Sequence, residues 1–374
     1  MKAMKAFKSI IILLLSAVPI LAQPNLDFRT LGRKALTTGE YTAAAYFLYA
    51  DYLRDTVSFE DHIVTAFLLT NEAEYDKAER MYAKVQDTIR TEQLSDSLRF
   101  FYYVGLAELA QYKHKYIDAI KYTNETEQYS WSYNNLRASC YKNLGLYELA
   151  INEYNKLSIE TTYDEWLYKC YIGDLYRNLG NYEEAIKYFT EAVQLNPNNY
   201  HSYYKLGWCH ELRGDDETAL KYYNQGIERD SDSGAWIYLM RGEIYHKYGK
   251  MELAEADFKR VLFLDKIVDG DSCRQYALHF LGRDDYALQW MDRIVKSNPS
   301  DPGNYYDKAC LCARMNLIEG SNEALEEAFA KGYRSFAHIE HDDDLDPIRN
   351  TSKFKETIAK YNAIYQNELS QLNL

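Results

Sequence analysis

The densest run of side chains able to ligate a metal or move a proton is His338-Ile339-Glu340-His341-Asp342-Asp343-Asp344. Metal binding there needs both imidazoles on one helical face with a carboxylate folded back onto them. A solvated acidic turn gives the same composition and is the simpler reading, so no metal and no cofactor are expected. Paired carboxylates at Asp215-Asp216 and Glu183-Glu184 stand at turns and helix starts, where the helix dipole favours surface acids. No Gly-x-Ser-x-Gly, Gly-x-x-x-x-Gly-Lys or His-Glu-x-x-His run occurs, so no nucleophile elbow, phosphate loop or zincin helix is available. Catalysis is not expected. Binding is.

The bulk of the chain narrows the partner. Its 374 residues are 47% hydrophobic with a formal net charge of −13. An acidic surface repels phosphate backbones and anionic lipid, which excludes nucleic acid as a general partner. Lys2, Lys5 and Lys8 precede an apolar stretch from Ser9 to Leu21 that ends at Ala22-Gln23. Thirteen helical residues at ~1.5 Å each fall well short of a ~30 Å hydrocarbon core. A signal peptide over residues 1–22, cleaved near Ala22, is therefore expected, with a periplasmic or secreted mature chain that does not span a membrane. Six cysteines invite a disulfide reading. Cys310 and Cys312 stand two apart in a helical pattern, though, and so point to opposite sides, while Cys140, Cys170 and Cys209 lie inside other helical patterns. Buried free thiols are expected.

The positioning elements are read from an internal period. Aligned on Ala44, Ala78, Ala119, Ala150, Ala185, Ala219, Ala254, Ala287 and Ala324, the chain repeats at intervals of 31 to 41 residues. Five residues before the alanine stand Gly39, Gly145, Gly180, Gly214, Gly249 and Gly282; three before it stand aromatics such as Tyr147 and Tyr182. Twelve before it the residue is small, as at Gly173, Gly207 and Gly242, and four after it bulky, as at Phe189, Tyr223 and Phe258. Pro197 and Pro299 stand twelve after it. Each unit reads as two antiparallel helices, glycine turning the chain and proline closing the second helix. One such hairpin cannot bury its own apolar face, so units must stack. The 41-residue interval is expected to lengthen a second helix and loop between Gln86 and Ser97, and Asp269-Gly270 reads as a turn.

This pattern resembles the tetratricopeptide-repeat superfamily, most clearly over Trp166 to Asn199. The resemblance implies an all-α, right-handed superhelical solenoid of about nine hairpins over residues 25–332, with a helical cap over 333–374. Asp346-Pro347 is expected to start a cap helix, with the acid at the N-cap. The third, eighth and ninth units depart most from the pattern.

In such arrays the first helices line the concave face, which places a partner groove by helical phase. His201, Tyr204, Trp208 and Glu211 share the face opposite the packing residues in the sixth unit; the same register gives Asp174 and Arg177 in the fifth, and Trp236, Leu239, Glu243 and His246 in the seventh. An aromatic groove with carboxylates among the rings suits a protein or peptide partner offering apolar and basic side chains. The Lys/Asn/Arg set by which relatives clamp chaperone tails is replaced by Asn135, Ser139 and Cys170, so that ligand is not expected. The sequence reading is a non-catalytic interaction scaffold of the cell envelope or exterior. A glycan-binding accessory protein using the groove aromatics is the alternative, and a metal-dependent enzyme at His338 and His341 the last.

Overall fold

A computed structural model describes residues 27–53, 59–86, 94–126, 133–160, 165–229, 234–266 and 271–372. The leader, its cleavage point and Asp269-Gly270 lie outside the described residues.

The described residues form nine helical hairpins and no strand. They are α1 (Phe28–Thr37) with α2 (Tyr41–Tyr52), α3 (Phe59–Asn71) with α4 (Tyr75–Gln86), and α5 (Asp96–Tyr112) with α6 (Tyr116–Asn124). Next come α7 (Tyr133–Asn143) with α8 (Tyr147–Glu160), α9 (Glu165–Asn178) with α10 (Tyr182–Leu195), and α11 (Tyr200–Leu212) with α12 (Asp216–Arg229). The last three are α13 (Ala235–Lys247) with α14 (Met251–Leu264), α15 (Arg274–Phe280) with α16 (Asp284–Ser297), and α17 (Pro302–Arg314) with α18 (Ile318–Ala330).

Local chemistry explains the hairpin. The six turn glycines sit at φ between 69° and 78°, where a side chain is strained. In the other three hairpins Ala73, His114 and Asn316 occupy the same place at φ 57° to 59°. The small residue of the first helix and the bulky residue of the second lie sixteen apart and touch. A methyl built on Gly173 would stand 2.8 Å from Phe189, on Gly207 2.5 Å from Tyr223, and on Gly242 2.7 Å from Phe258. Those three rings are completely buried, as are Ala185, Ala219 and Ala254. Tyr182 opens α10, and Pro197 follows its C-cap, Asn196.

Two expectations need correction. In the ninth hairpin the alanine slot belongs to Ser321, three residues before Ala324. Ser321 stands 34 after Ala287 and five after the left-handed Asn316, and it is fully buried. Its hydroxyl donates to the carbonyl of Ala309 at 2.7 Å, which is how a serine fits an apolar slot. The expected lengthening between Gln86 and Ser97 falls mainly on residues 87–93, outside the described residues; beyond them α5, with 17 residues, is long. Asp346 is the first residue of the four-residue α20 (Asp346–Arg349) rather than its N-cap, which is Leu345.

The chain divides into two compact units, one of residues 1–109 with 122–129 and the other of 110–121 with 130–374, so the division falls within the third hairpin. In the first, Ala44, Leu48, Ile63, Ala66, Met81 and Tyr82 form the core. Arg33 grips both carboxylate oxygens of Asp61 at 3.0 Å.

In the second unit the residues after Gly332 do more than cap the last hairpin. α19 (Phe336–Glu340), α20 and α21 (Ser352–Leu369) bury Ile339, Ile348, Phe354 and Tyr361 against Phe329 and Leu325 of α18. They also reach back to the turns of the fourth and fifth hairpins. The Tyr365 hydroxyl donates to the carbonyl of Leu144. A methyl on Gly145 would meet the Arg334 carbonyl at 2.8 Å, and one on Gly180 would meet the His341 ring at 2.9 Å. Arg334, itself buried, is held by Glu368 at 2.8 and 2.9 Å. All six cysteines are buried free thiols.

Candidate functional site

The inner face of the second unit follows from a 3-4 spacing on successive first helices. Trp236, Leu239 and Glu243 lie along one side of α13, and Asp307, Cys310 and Arg314 repeat the offsets on α17. With Arg177 of α9, Trp208 and Glu211 of α11, and Tyr276 of α15, they wall a cavity of about 460 Å³. The cap closes its remaining side with His338, His341, Asp342, Asp343 and Asp344. Thus the two sequence candidates, the aromatic groove and the His/Asp run, meet at one place.

A second cavity of about 400 Å³ shares Arg177, Trp208 and Trp236, and is further lined by His201, Tyr204 and Lys205. The Arg177 guanidinium lies 3.9 Å from the centre of the Trp208 ring, and the Tyr204 ring stacks on Trp208 at 5.8 Å. The Trp236 indole N–H donates to the Asp271 carbonyl at 2.9 Å.

Four of the ten groove residues expected from sequence are placed differently from that expectation. Asp174 lines neither cavity: Lys205 at 3.0 Å and Arg177 at 3.5 Å take its carboxylate. Burial alone would raise its pKa, but those two cations hold it below the usual carboxylate value. His246 is exposed outside both cavities, its ring edge-on to Phe280 at 5.4 Å. Tyr204 and Leu239 contribute wall, being 4% and 1% exposed, rather than free contact surface.

Electrostatics sets the larger cavity apart. Arg314 joins two of its walls, donating to Glu243 at 3.0 Å and to Asp344 at 2.6 Å. The Tyr306 hydroxyl donates to Asp342 at 2.5 Å, and the Cys310 thiol approaches the same oxygen at 3.6 Å. Burial pushes Asp307 up to about 8, with Asp301, Asp342 and Asp344 adding like charge. Burial likewise raises Asp344 to about 7 against the pull of Arg314. Glu211 rises to about 7 for the same reason, opposed by the Tyr223 hydroxyl that donates to it at 2.6 Å. His338, in contact with the Tyr333 hydroxyl, is lowered to about 4 by burial. In each of these four groups burial is the first cause of the shift.

The metal-type grouping also differs from the sequence candidate. Among the described residues, Cys310, Asp342 and Asp344 bring ligand atoms within 4.8 Å of one another, without either histidine. Sequence reasoning missed the α17 wall altogether. The repeated 3-4 offset of Asp307, Cys310 and Arg314 was the available signal, hidden because an alignment on Ala324 sets the ninth hairpin three residues late.

Family models described as tetratricopeptide repeat match residues 132–157, 164–232 and 237–266. Those segments, about a third of the chain, are tetratricopeptide repeats, and the hairpins on either side follow the same pattern. It is 30% identical over 124 residues to DnaJ homolog subfamily C member 3 of Homo sapiens, across 29% of this chain and 24% of that protein. A chloroplastic protein of Arabidopsis thaliana is 28% identical over 90 residues, across 23% of this chain and 27% of that protein. The chain thus spans only about a quarter of the length of these relatives.

Among solved structures, the C-terminal part of a TPR repeat-containing protein from Cytophaga hutchinsonii aligns with a TM-score of 0.50 at 19% identity, over 68% of this chain and 99% of that one. The apo form of RapI aligns with a TM-score of 0.55 at 11% identity, over 83% and 96%. Likeness at these identities concerns the fold. No described helix is long and apolar enough to cross a membrane.

Proposed function

We propose that this protein is a non-catalytic scaffold of the cell envelope or exterior, holding a peptide or protein partner against the inner face of its second unit. The tetratricopeptide fold lends itself to such faces, since stacked hairpins leave one wall of first helices uncovered by the next unit. The observation that carries the proposal is the convergence of Trp208, Trp236, Glu211, Glu243 and Arg177 from three consecutive first helices on one cavity. Large rings beside charged groups are what protein interfaces use as anchors. Glycan binding is less well supported, because Arg177 already covers a face of Trp208 that a sugar ring would need.

Crosslinking in the native cell, with the partner identified by mass spectrometry, tests this reading. Replacing Trp208 and Trp236 together by alanine should abolish recovery of that partner. Equal recovery from the doubly substituted protein rejects the inner face as the binding surface. Export is tested separately by fractionation and N-terminal sequencing, a mature end near Ala22 being the expected result.

A further inference from the structure

We infer that the larger cavity is a receptor for a single basic side chain, an arginine or lysine carried by the protein partner. This rests on the scaffold reading above and adds the chemistry of what enters. Six carboxyl groups border the cavity: Glu211, Glu243, Asp307, Asp342, Asp343 and Asp344. Three cations border it too, but two of them are spent on acids outside the cavity. Arg177 lies beside Asp174 and on the Trp208 ring, and Lys247 is bound to Asp216 at 2.6 Å. Arg314 alone faces the six.

Two acceptors remain unused. Glu243 Oε1 is buried without a hydrogen-bond partner. Asp307 engages only its carbonyl, which accepts from the Tyr276 hydroxyl at 3.5 Å, and its carboxylate has no hydrogen-bond or ion-pair partner among the described residues. A buried acceptor without a donor, as at Glu243 Oε1, is costly, and an incoming N–H donor removes that cost; the partly buried Asp307 carboxylate is a further acceptor on the cavity wall.

The walls say which kind of cation fits. Trp236 presents an aromatic ring against which a guanidinium or ammonium with an aliphatic stem is well placed, whereas Arg177 already lies on Trp208 and Arg314 over Tyr276. A metal ion fits less well. The Cys310, Asp342 and Asp344 atoms that could ligate it already receive the Tyr306 hydroxyl and the Arg314 guanidinium, so an ion would have to displace a cation first.

The probe is a capped Gly-Arg-Gly tripeptide, with citrulline in place of arginine as the neutral isostere and agmatine as the free guanidinium. Binding to the full chain is read by calorimetry and by tryptophan fluorescence, since Trp208 and Trp236 line the site. The arginine peptide should bind saturably and at least about tenfold more tightly than the citrulline peptide. Asp307→Asn should weaken the arginine peptide by about tenfold or more, and it removes no contact the fold uses. Equal binding of the two peptides, or unchanged affinity in the Asp307→Asn protein, overturns the inference. Agmatine should compete with the arginine peptide for the same site; displacement of that peptide by zinc or calcium, but not by agmatine, also overturns the inference. The two proposals fail separately. A crosslinked partner lost with the tryptophans but indifferent to Asp307→Asn leaves the scaffold standing and removes the basic side chain.

Discussion

Arg314 Nη1 donates to Glu243 Oε2 at 3.0 Å, although the two residues stand 71 positions apart. One is on the first helix of the ninth hairpin, the other on that of the seventh. With Asp344 on its Nε at 2.6 Å, Arg314 ties two hairpins and the cap into one wall.

Arg314→Met should therefore destabilise the second unit by about 2 kcal/mol or more, because it strands two half-buried carboxylates. Urea denaturation checks this. A loss below about 0.5 kcal/mol would mean that the pair is solvated and holds nothing.

Gly173→Ala should cost roughly 1–3 kcal/mol, since the new methyl meets the fully buried Phe189 ring at 2.8 Å. Phe189→Leu in the same chain should recover part of that loss, having cleared the space. A strictly additive double-mutant cycle would show that the two positions do not press on each other.

Ser321→Ala should change stability by no more than about 1 kcal/mol, because most of the hairpins place alanine there and only the bond to the Ala309 carbonyl is lost. Ser321→Val should cost about 2 kcal/mol by overpacking. Equal tolerance of both would restore Ala324 as the repeat position.

Asp307 supplies a pH dependence. In the unfolded chain it ionises in the ordinary range near ~4; in the folded chain it does so at about 8. Between those values the folded state holds a proton that the unfolded state has lost, so stability falls as pH rises through that window. Asp301, Asp342, Asp344 and Asp271 press on it with like charge. Asp307→Asn should raise the melting temperature at pH 8 and flatten its decline between pH 5 and 8. An unchanged slope would place the titration elsewhere.

Much of the fold could be read from the chain because the hairpin is a local device. Gly180, Gly173 and Phe189 lie within one unit, and their spacing announces a turn and a close crossing. The ninth hairpin is obscured because Ser321 replaces the marker alanine and Ala324 offers a decoy three residues on. The closure of the cavity was not legible. Tyr365 meets Leu144 across 221 positions, and Arg334 meets Gly145, with no period to signal either contact. For the same reason the His/Asp run looked like an isolated acidic turn, whereas folding brings it opposite Trp208 and Trp236.

The most direct test of the inner face as a docking surface is site-specific photocrosslinking. A benzoylphenylalanine is placed at Trp236 in the cavity wall, or at Tyr286, an exposed position of α16 that lines neither of these two cavities. The partner should be captured from position 236 and not from 286. Capture from 286 with none from 236 would contradict the assignment.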